Sequence, residues 1–142
     1  MINRDDSIFK LKHSERVYYE HTDSTEFVYH TNYLKFMERA RTEWLDSLGF
    51  SQRALKQKHS IFFVVKTAQI NFIKPAKLDD ILFLTIQEIN TKRASLKIKQ
   101  DIALGKNQII CKGEFVLACV SSNSSYPVKI PEQILLAISN VT

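Results

Sequence analysis

Glycine and proline are scarce in this chain, three of each in 142 residues, which excludes collagen-like repeats, low-complexity tracts and long flexible linkers. No run of about 18 apolar residues occurs, so no membrane insertion is expected. The N-terminal stretch MINRDDSIFKLKHSER lacks the continuous apolar core of a secretion signal. Cysteine is confined to Cys111 and Cys119. Eight residues of extended chain span roughly 26 Å, far beyond the ~7 Å Cα separation a disulfide tolerates. Reduced, buried thiols and a cytoplasmic location are therefore expected. A Gly-rich phosphate loop is also missing, so any nucleotide partner would be held at the surface.

The net charge is +5, but the lysines and arginines alternate with apolar or acidic residues, as on a solvated face. A concentrated basic patch would signal nucleic acid; scattered charge does not, and a smaller anionic partner suits it better. With 44% hydrophobic and 25% charged residues, the composition is that of one globular domain spanning 1–142, with 1–12 as a loosely ordered N-terminal segment.

Alternation of Val17 and Tyr19 in SERVYYE predicts a strand over 14–20. Between 30 and 48, Tyr33, Phe36, Met37, Ala40, Trp44 and Leu48 recur every three or four residues, an apolar helical stripe. Lys35, Glu38, Arg39, Arg41 and Glu43 lie opposite, with Arg39 and Glu43 spaced for an i,i+4 pair. Gly49 stands where a helix C-terminal cap belongs. SQRALKQK (51–58) reads as a short second helix begun by Ser51. Segments 61–73, 81–90, 93–104 and 108–121 are rich in β-branched and aromatic residues and read as strands. Their separators, KPAKLDD, TK and LGKNQ, have hairpin length. PEQILLAISN reads as a terminal helix opened by Pro131. Short connections imply antiparallel neighbours. One long apolar helix laid across a twisted antiparallel sheet of about five strands buries the apolar faces of both, which predicts a single α+β hotdog domain.

Between the first strand and the long helix lies a polar stretch, EHTDSTEFVYH. RVYYEHTDSTEFVYHTNYLKFMERARTEWLDSLGFSQRAL resembles the opening of the Tol-Pal-associated acyl-CoA thioesterases, the YbgC-like branch of the 4-hydroxybenzoyl-CoA thioesterase family. That family's pattern is approximately Y-x-D-T-D-x-x-G-x-V-Y-H-x-x-Y followed by a helix carrying ERAR. Here it reads Tyr19, His21, Thr22, Asp23, Val28, Tyr29, His30, Tyr33 and Glu38-Arg39-Ala40-Arg41. The resemblance implies a cytoplasmic bacterial hydrolase of acyl-CoA thioesters, with coenzyme A as part of the substrate and no further cofactor. It also implies a homodimer or homotetramer with active sites between subunits. The family's catalytic carboxylate maps onto Asp23, and Val28, Tyr29 and His30 map onto a helix start whose backbone amides face the thioester carbonyl. Two positions differ: His21 stands for an aspartate, and Thr25-Glu26 occupies a turn where the family has glycine.

Thioester hydrolysis needs fixed donors where the oxyanion develops, and a helix N-terminus offers unpaired N–H groups and a favourable dipole. It also needs a carboxylate that attacks directly or activates water; burial beside an acyl chain would raise the Asp23 pKa. If the first strand continues, Tyr19, His21 and Asp23 share one face, so His21 would tune Asp23 while His30 assists. Lys66 on a strand and Lys92-Arg93 in a turn are candidates for the coenzyme A phosphates. Plainer readings stand beside these. Asp23 can cap an Asx-turn, and Glu38 can be a surface charge. Composition alone would allow a metal among His21, Asp23, Glu26 and His30, but no compact motif supports one. The acyl donor is coenzyme A or an acyl carrier protein. The rival reading is a catalytically weak hotdog protein acting as an acyl-carrier or envelope-associated interaction module.

Overall fold

The computed structural model describes residues 13–105 and 107–141; the 1–12 segment lies outside the described residues. Five strands form one antiparallel sheet: β1 (His13–Arg16), β2 (Ile61–Phe72), β3 (Ile81–Thr91), β4 (Ser95–Leu104) and β5 (Gln108–Ser121), in the spatial order β1-β3-β4-β5-β2. Three helices accompany it: α1 (Thr31–Ser47), α2 (Gln52–His59) and α3 (Glu132–Val141). This is the hotdog arrangement, with α1 as its buried axis.

Helix α1 forms because its apolar stripe is continuous. Tyr33, Phe36, Met37, Ala40, Trp44 and Leu45 are buried, each large side chain contributing about 1.5–3 kcal/mol by leaving water. The helix ends in a Schellman motif: Gly49 takes φ +92°, its N–H donates to Asp46, and the Phe50 N–H donates to Leu45. Ser51 opens α2 by accepting the Ala54 N–H at 3.1 Å. Pro131 sits just before α3, its carbonyl accepting from Ile134 and Leu135. Strand alternation sends Leu96, Ile98 and Ile102 of β4 and Cys111, Phe115, Leu117 and Cys119 of β5 into the core. Both cysteines are free and buried. Gly113 gives α1 room, since a Cβ there would lie 2.6 Å from Met37 Sδ.

Four expectations need correction. The first strand ends at Arg16, and Tyr19–His21 instead form a 3-10 turn. KPAKLDD does not close a hairpin: β2 pairs with β5 at one edge of the sheet, three strands away from the β3 it leads to. Arg41 is 7% exposed rather than part of the solvated face. Its guanidinium donates to Gln100 Oε1 at 3.0 Å and lies 4.2 Å from the Phe115 ring centroid, and burial lowers its pKa to about 10. Arg39 pairs with Glu15 at 3.2 Å rather than with Glu43. Among the described residues no helix is long and apolar enough to cross a membrane.

Candidate active site

The polar stretch folds into a small hairpin that leads into α1. Thr22 and Val28 form an antiparallel bridge, the Asp23 N–H donates to Phe27 at 3.0 Å, and the Glu26 N–H donates back to Asp23 at 3.1 Å. Glu26 adopts φ +69°, the left-handed residue that completes a three-residue hairpin loop. The turn that glycine serves in the family is thus kept here by a glutamate. Residues 76–78 line the other side, with the Val28 N–H donating to Ala76 and the Leu78 N–H to Glu26.

Asp23 is exposed at the tip. Its Oδ1 accepts the Thr25 N–H at 2.8 Å and the Thr25 hydroxyl. These bonds hold its carboxyl below the usual range, the hydroxyl first and the amide second. In the single chain the carboxylate is therefore ionised and solvated, not raised by burial as expected. It does serve as an Asx-turn acceptor, and that role leaves Oδ2 unengaged among the described residues.

His21 does not share a face with Asp23. The 3-10 turn carries it inward, to 5% exposure, while Tyr19 is left 78% exposed. Its Nδ1 accepts the Tyr18 N–H at 3.0 Å, which puts the ring proton on Nε2, 3.4 Å from Glu20. The ring stands edge-on to Phe36, 4.9 Å between centroids.

The start of α1 is unusual in being uncapped. His30 precedes the helix with no side-chain cap, and no acidic residue lies in the first turn. The Val28 and Tyr29 amides, expected as oxyanion donors, already donate to Ala76 and His21. The His30 and Thr31 amides have no acceptor among the described residues. His30 is exposed and stands edge-on to Phe72, 6.1 Å away. Val28, His30, Tyr33, Phe72, Ile73, Lys74 and Pro75 line a pocket of about 200 Å³. An apolar hollow bordered by His30, at a helix start with unpaired amides and following a turn that carries an ionised carboxylate, has the elements to receive an acyl thioester and stabilise charge on its carbonyl oxygen.

Lys66, Lys92 and Arg93 are not brought to this place within one chain. The His30 end of the sheet is the row Phe72–Cys111–Ile102–Leu84, whereas the Lys92-Arg93 turn borders the row Val64–Ala118–Ser95. Seven residues of β4 and of β5, roughly 23 Å, separate the rows. Lys66 sits at a bulge in β2, between Val65 and Thr67. Among the described residues His21, Asp23, Glu26 and His30 do not converge into a metal-binding group. Two contributors carried no motif in the sequence. Asn32 is buried and donates through Nδ2 to the His21 carbonyl at 2.8 Å; Ala76 donates its N–H to the Tyr33 hydroxyl at 3.0 Å. A polar residue amid an otherwise apolar stripe is the signal that would have found Asn32.

Comparison with known proteins places the chain in a family. Residues 25–111 match the thioesterase superfamily model. The chain is 37% identical over 126 residues to the acyl-CoA thioesterase YbgC of Haemophilus influenzae, covering 89% of this chain and 92% of that protein. It is 32% identical over 103 residues to the long-chain acyl-CoA thioesterase FadM of Escherichia coli, covering 70% and 75%. The crystal structure of a probable thioesterase from Bartonella henselae superposes with a TM-score of 0.80 at 30% identity, covering 86% of this chain and 99% of that one. Matched over most of its length by this family model and by these relatives, the chain belongs to the thioesterase superfamily, in its YbgC-like branch of acyl-CoA thioesterases.

Proposed function

We propose that this protein hydrolyses acyl-CoA thioesters to free acid and coenzyme A, with Asp23 as the reacting carboxylate. The observation that carries the reading is the uncapped start of α1: the His30 and Thr31 amides have no acceptor and no capping side chain among the described residues, and His30 borders an apolar pocket. The thioester carbonyl points at these amides, which oppose the negative charge that grows on its oxygen. Asp23 either attacks the carbonyl carbon, expelling the coenzyme A thiolate and leaving a mixed anhydride that water then cleaves to the free acid, or draws a proton from a water that attacks the carbon, the proton passing to the departing thiolate. His30, at the mouth of the pocket, assists by orienting the reacting groups.

The reading includes a second copy of the chain. In one protomer Asp23 is exposed, and β2 presents an unpaired edge with Val64, Val65, Phe72 and Ile73 at 43–57% exposure. Exposed, apolar strand edges are unusual unless paired. Antiparallel pairing of two β2 edges would set the Ile61 end of one copy beside the Phe72 end of the other. The Lys92-Arg93 turn of one protomer would then lie toward the end of the sheet that carries the second protomer's His30 pocket, where the coenzyme A phosphates need cations, while mid-strand Lys66 would lie near the two-fold axis. Such a homodimer, or a tetramer built from it, acts on soluble thioesters in the cytoplasm. Glu26 weighs against the rival non-catalytic reading, since it preserves the turn on which Asp23 sits.

The test is release of free thiol from short, long and aromatic acyl-CoAs and from an acyl carrier protein thioester, by the native protein and Asp23→Asn. Asparagine retains an acceptor for the Thr25 N–H, so the turn should persist, with emission from the buried Trp44 as the check on folding. Loss of the carboxylate should lower kcat about 10²–10⁴-fold. Equal, near-background rates in both proteins would overturn the enzyme reading and favour the binding module.

A further inference from the structure

One residue holds the approach to the donors assigned to the oxyanion from two directions, its backbone on the Tyr29–His30 peptide and its side chain on the His21 carbonyl that also fixes the Tyr29 N–H. The Tyr29 carbonyl and the His30 N–H belong to one planar unit and point opposite ways. The Asn32 backbone N–H donates to that Tyr29 carbonyl at 2.9 Å, which turns the His30 N–H away from the helix body. The Asn32 side chain, 6% exposed, reaches back to the His21 carbonyl at 2.8 Å. The same carbonyl accepts the Tyr29 N–H at 2.9 Å, so both of its lone pairs are engaged. His21 is itself held by the Tyr18 N–H on Nδ1 and by Phe36 against its ring. A single residue thus ties the 3-10 turn, the hairpin exit and the helix start together.

Resting on the thioesterase reading above, we propose that Asn32 is a positioning residue for thioester hydrolysis: through the His21 carbonyl and the Tyr29–His30 peptide it fixes the direction of the unpaired His30 and Thr31 amides. Without the side-chain amide, the buried His21 carbonyl keeps one partner and the 3-10 turn loses its tie to α1. The Tyr29–His30 peptide can then tilt. Displacement of a reacting partner by about 1 Å can cost roughly 10²-fold in rate, and loss of one oxyanion donor costs about 10²–10³-fold. Tilting a donor that remains present should fall at or below these values. Asn32 is not among the residues that line the pocket, so its effect should be blind to the acyl group.

The experiment compares the native protein with Asn32→Asp, which keeps the shape but replaces the donor by an acceptor, on a short and a long acyl-CoA. A fall in kcat of about 10–100-fold is expected, with KM within about twofold and the same factor for both substrates. Asn32→Ala, which removes the donor without adding charge, should show the same split and serves alone if the aspartate variant does not fold. A purely structural role would lower the melting temperature while leaving kcat at the native value, and that result would overturn the proposal. So would a change confined to KM, or one that depends on chain length. Absence of turnover in the native protein would overturn the thioesterase reading and this role with it. Native turnover with fully active Asn32 variants would remove only the positioning role.

Discussion

Replacing Glu26 by glycine should stabilise the protein, and the size of the gain follows from one dihedral angle. Glu26 is held at φ +69° by the hairpin bonds on either side of it. An L-residue with a Cβ pays roughly 1–2 kcal/mol in the left-handed region, whereas glycine occupies it without that penalty. Glycine has more freedom to lose on folding, an opposing term of about 0.5–1 kcal/mol. The Glu26 side chain is exposed and makes no hydrogen bond or ion pair among the described residues, so nothing else is forfeited. The net expectation is a gain of about 0.5–1 kcal/mol. A chain of 142 residues unfolds with an entropy near 0.3 kcal/mol/K at about 2.1 cal/mol/K per residue, so the melting temperature should rise by roughly 2–3 °C. Differential scanning calorimetry of the native protein, Glu26→Gly and Glu26→Ala supplies the measurement. Alanine keeps the Cβ and should leave the melting temperature near that of the native protein. An unchanged or lowered value for Glu26→Gly, or an equal rise for both variants, would refute the argument that the backbone angle sets the cost. Thiol release by Glu26→Gly should match the native rate, because the turn carrying Asp23 is unaltered.

Gly113→Ala should act in the opposite direction. Its Cβ would fall 2.6 Å from Met37 Sδ and 2.8 Å from Phe115 Cε2, and overpacking of this kind costs about 1–3 kcal/mol, read as a lower urea midpoint at an unchanged slope. The two thiols should be inert in the folded protein. Both are buried, and desolvation pushes Cys111 up to about 12 and Cys119 to about 11, with the Asp101 carboxylate adding to Cys111. A thiol reagent should therefore titrate neither in buffer and both in denaturant; rapid labelling of the native protein would show that the β5 core opens. The same inertness keeps thiol-release assays free of background from the protein itself.

Periodicity determined a great deal of this molecule. The spacing of Tyr33, Phe36, Met37, Ala40 and Trp44 specified α1 because a helix places every third or fourth side chain on one face. Gly49 and Ser51 marked the boundaries of α1 and α2 because each serves a local backbone need. The four long strands were legible for the same reason, their alternation being a property of the chain alone. The family pattern across residues 19–41 pointed to Asp23 and to the helix start as the chemical centre. Tertiary structure decided what no local pattern encodes. It placed β2 beside β5, because which strands pair depends on contacts between segments far apart in the chain, which alternation within one strand does not encode. It folded Tyr19–His21 into a turn, burying a histidine that strand alternation would have aimed at Asp23, because Phe36 and the Tyr18 amide offered that ring a better environment. Arg41 entered the core because Gln100 and Phe115, some sixty and seventy residues further on, happened to lie opposite it. Which amides stay unpaired followed in the same way: Val28 and Tyr29 donate to Ala76 and His21, while His30 and Thr31 have no acceptor among the described residues. A sequence names the donors that a helix start carries, but which of them remain free depends on the carbonyls that distant segments bring within reach.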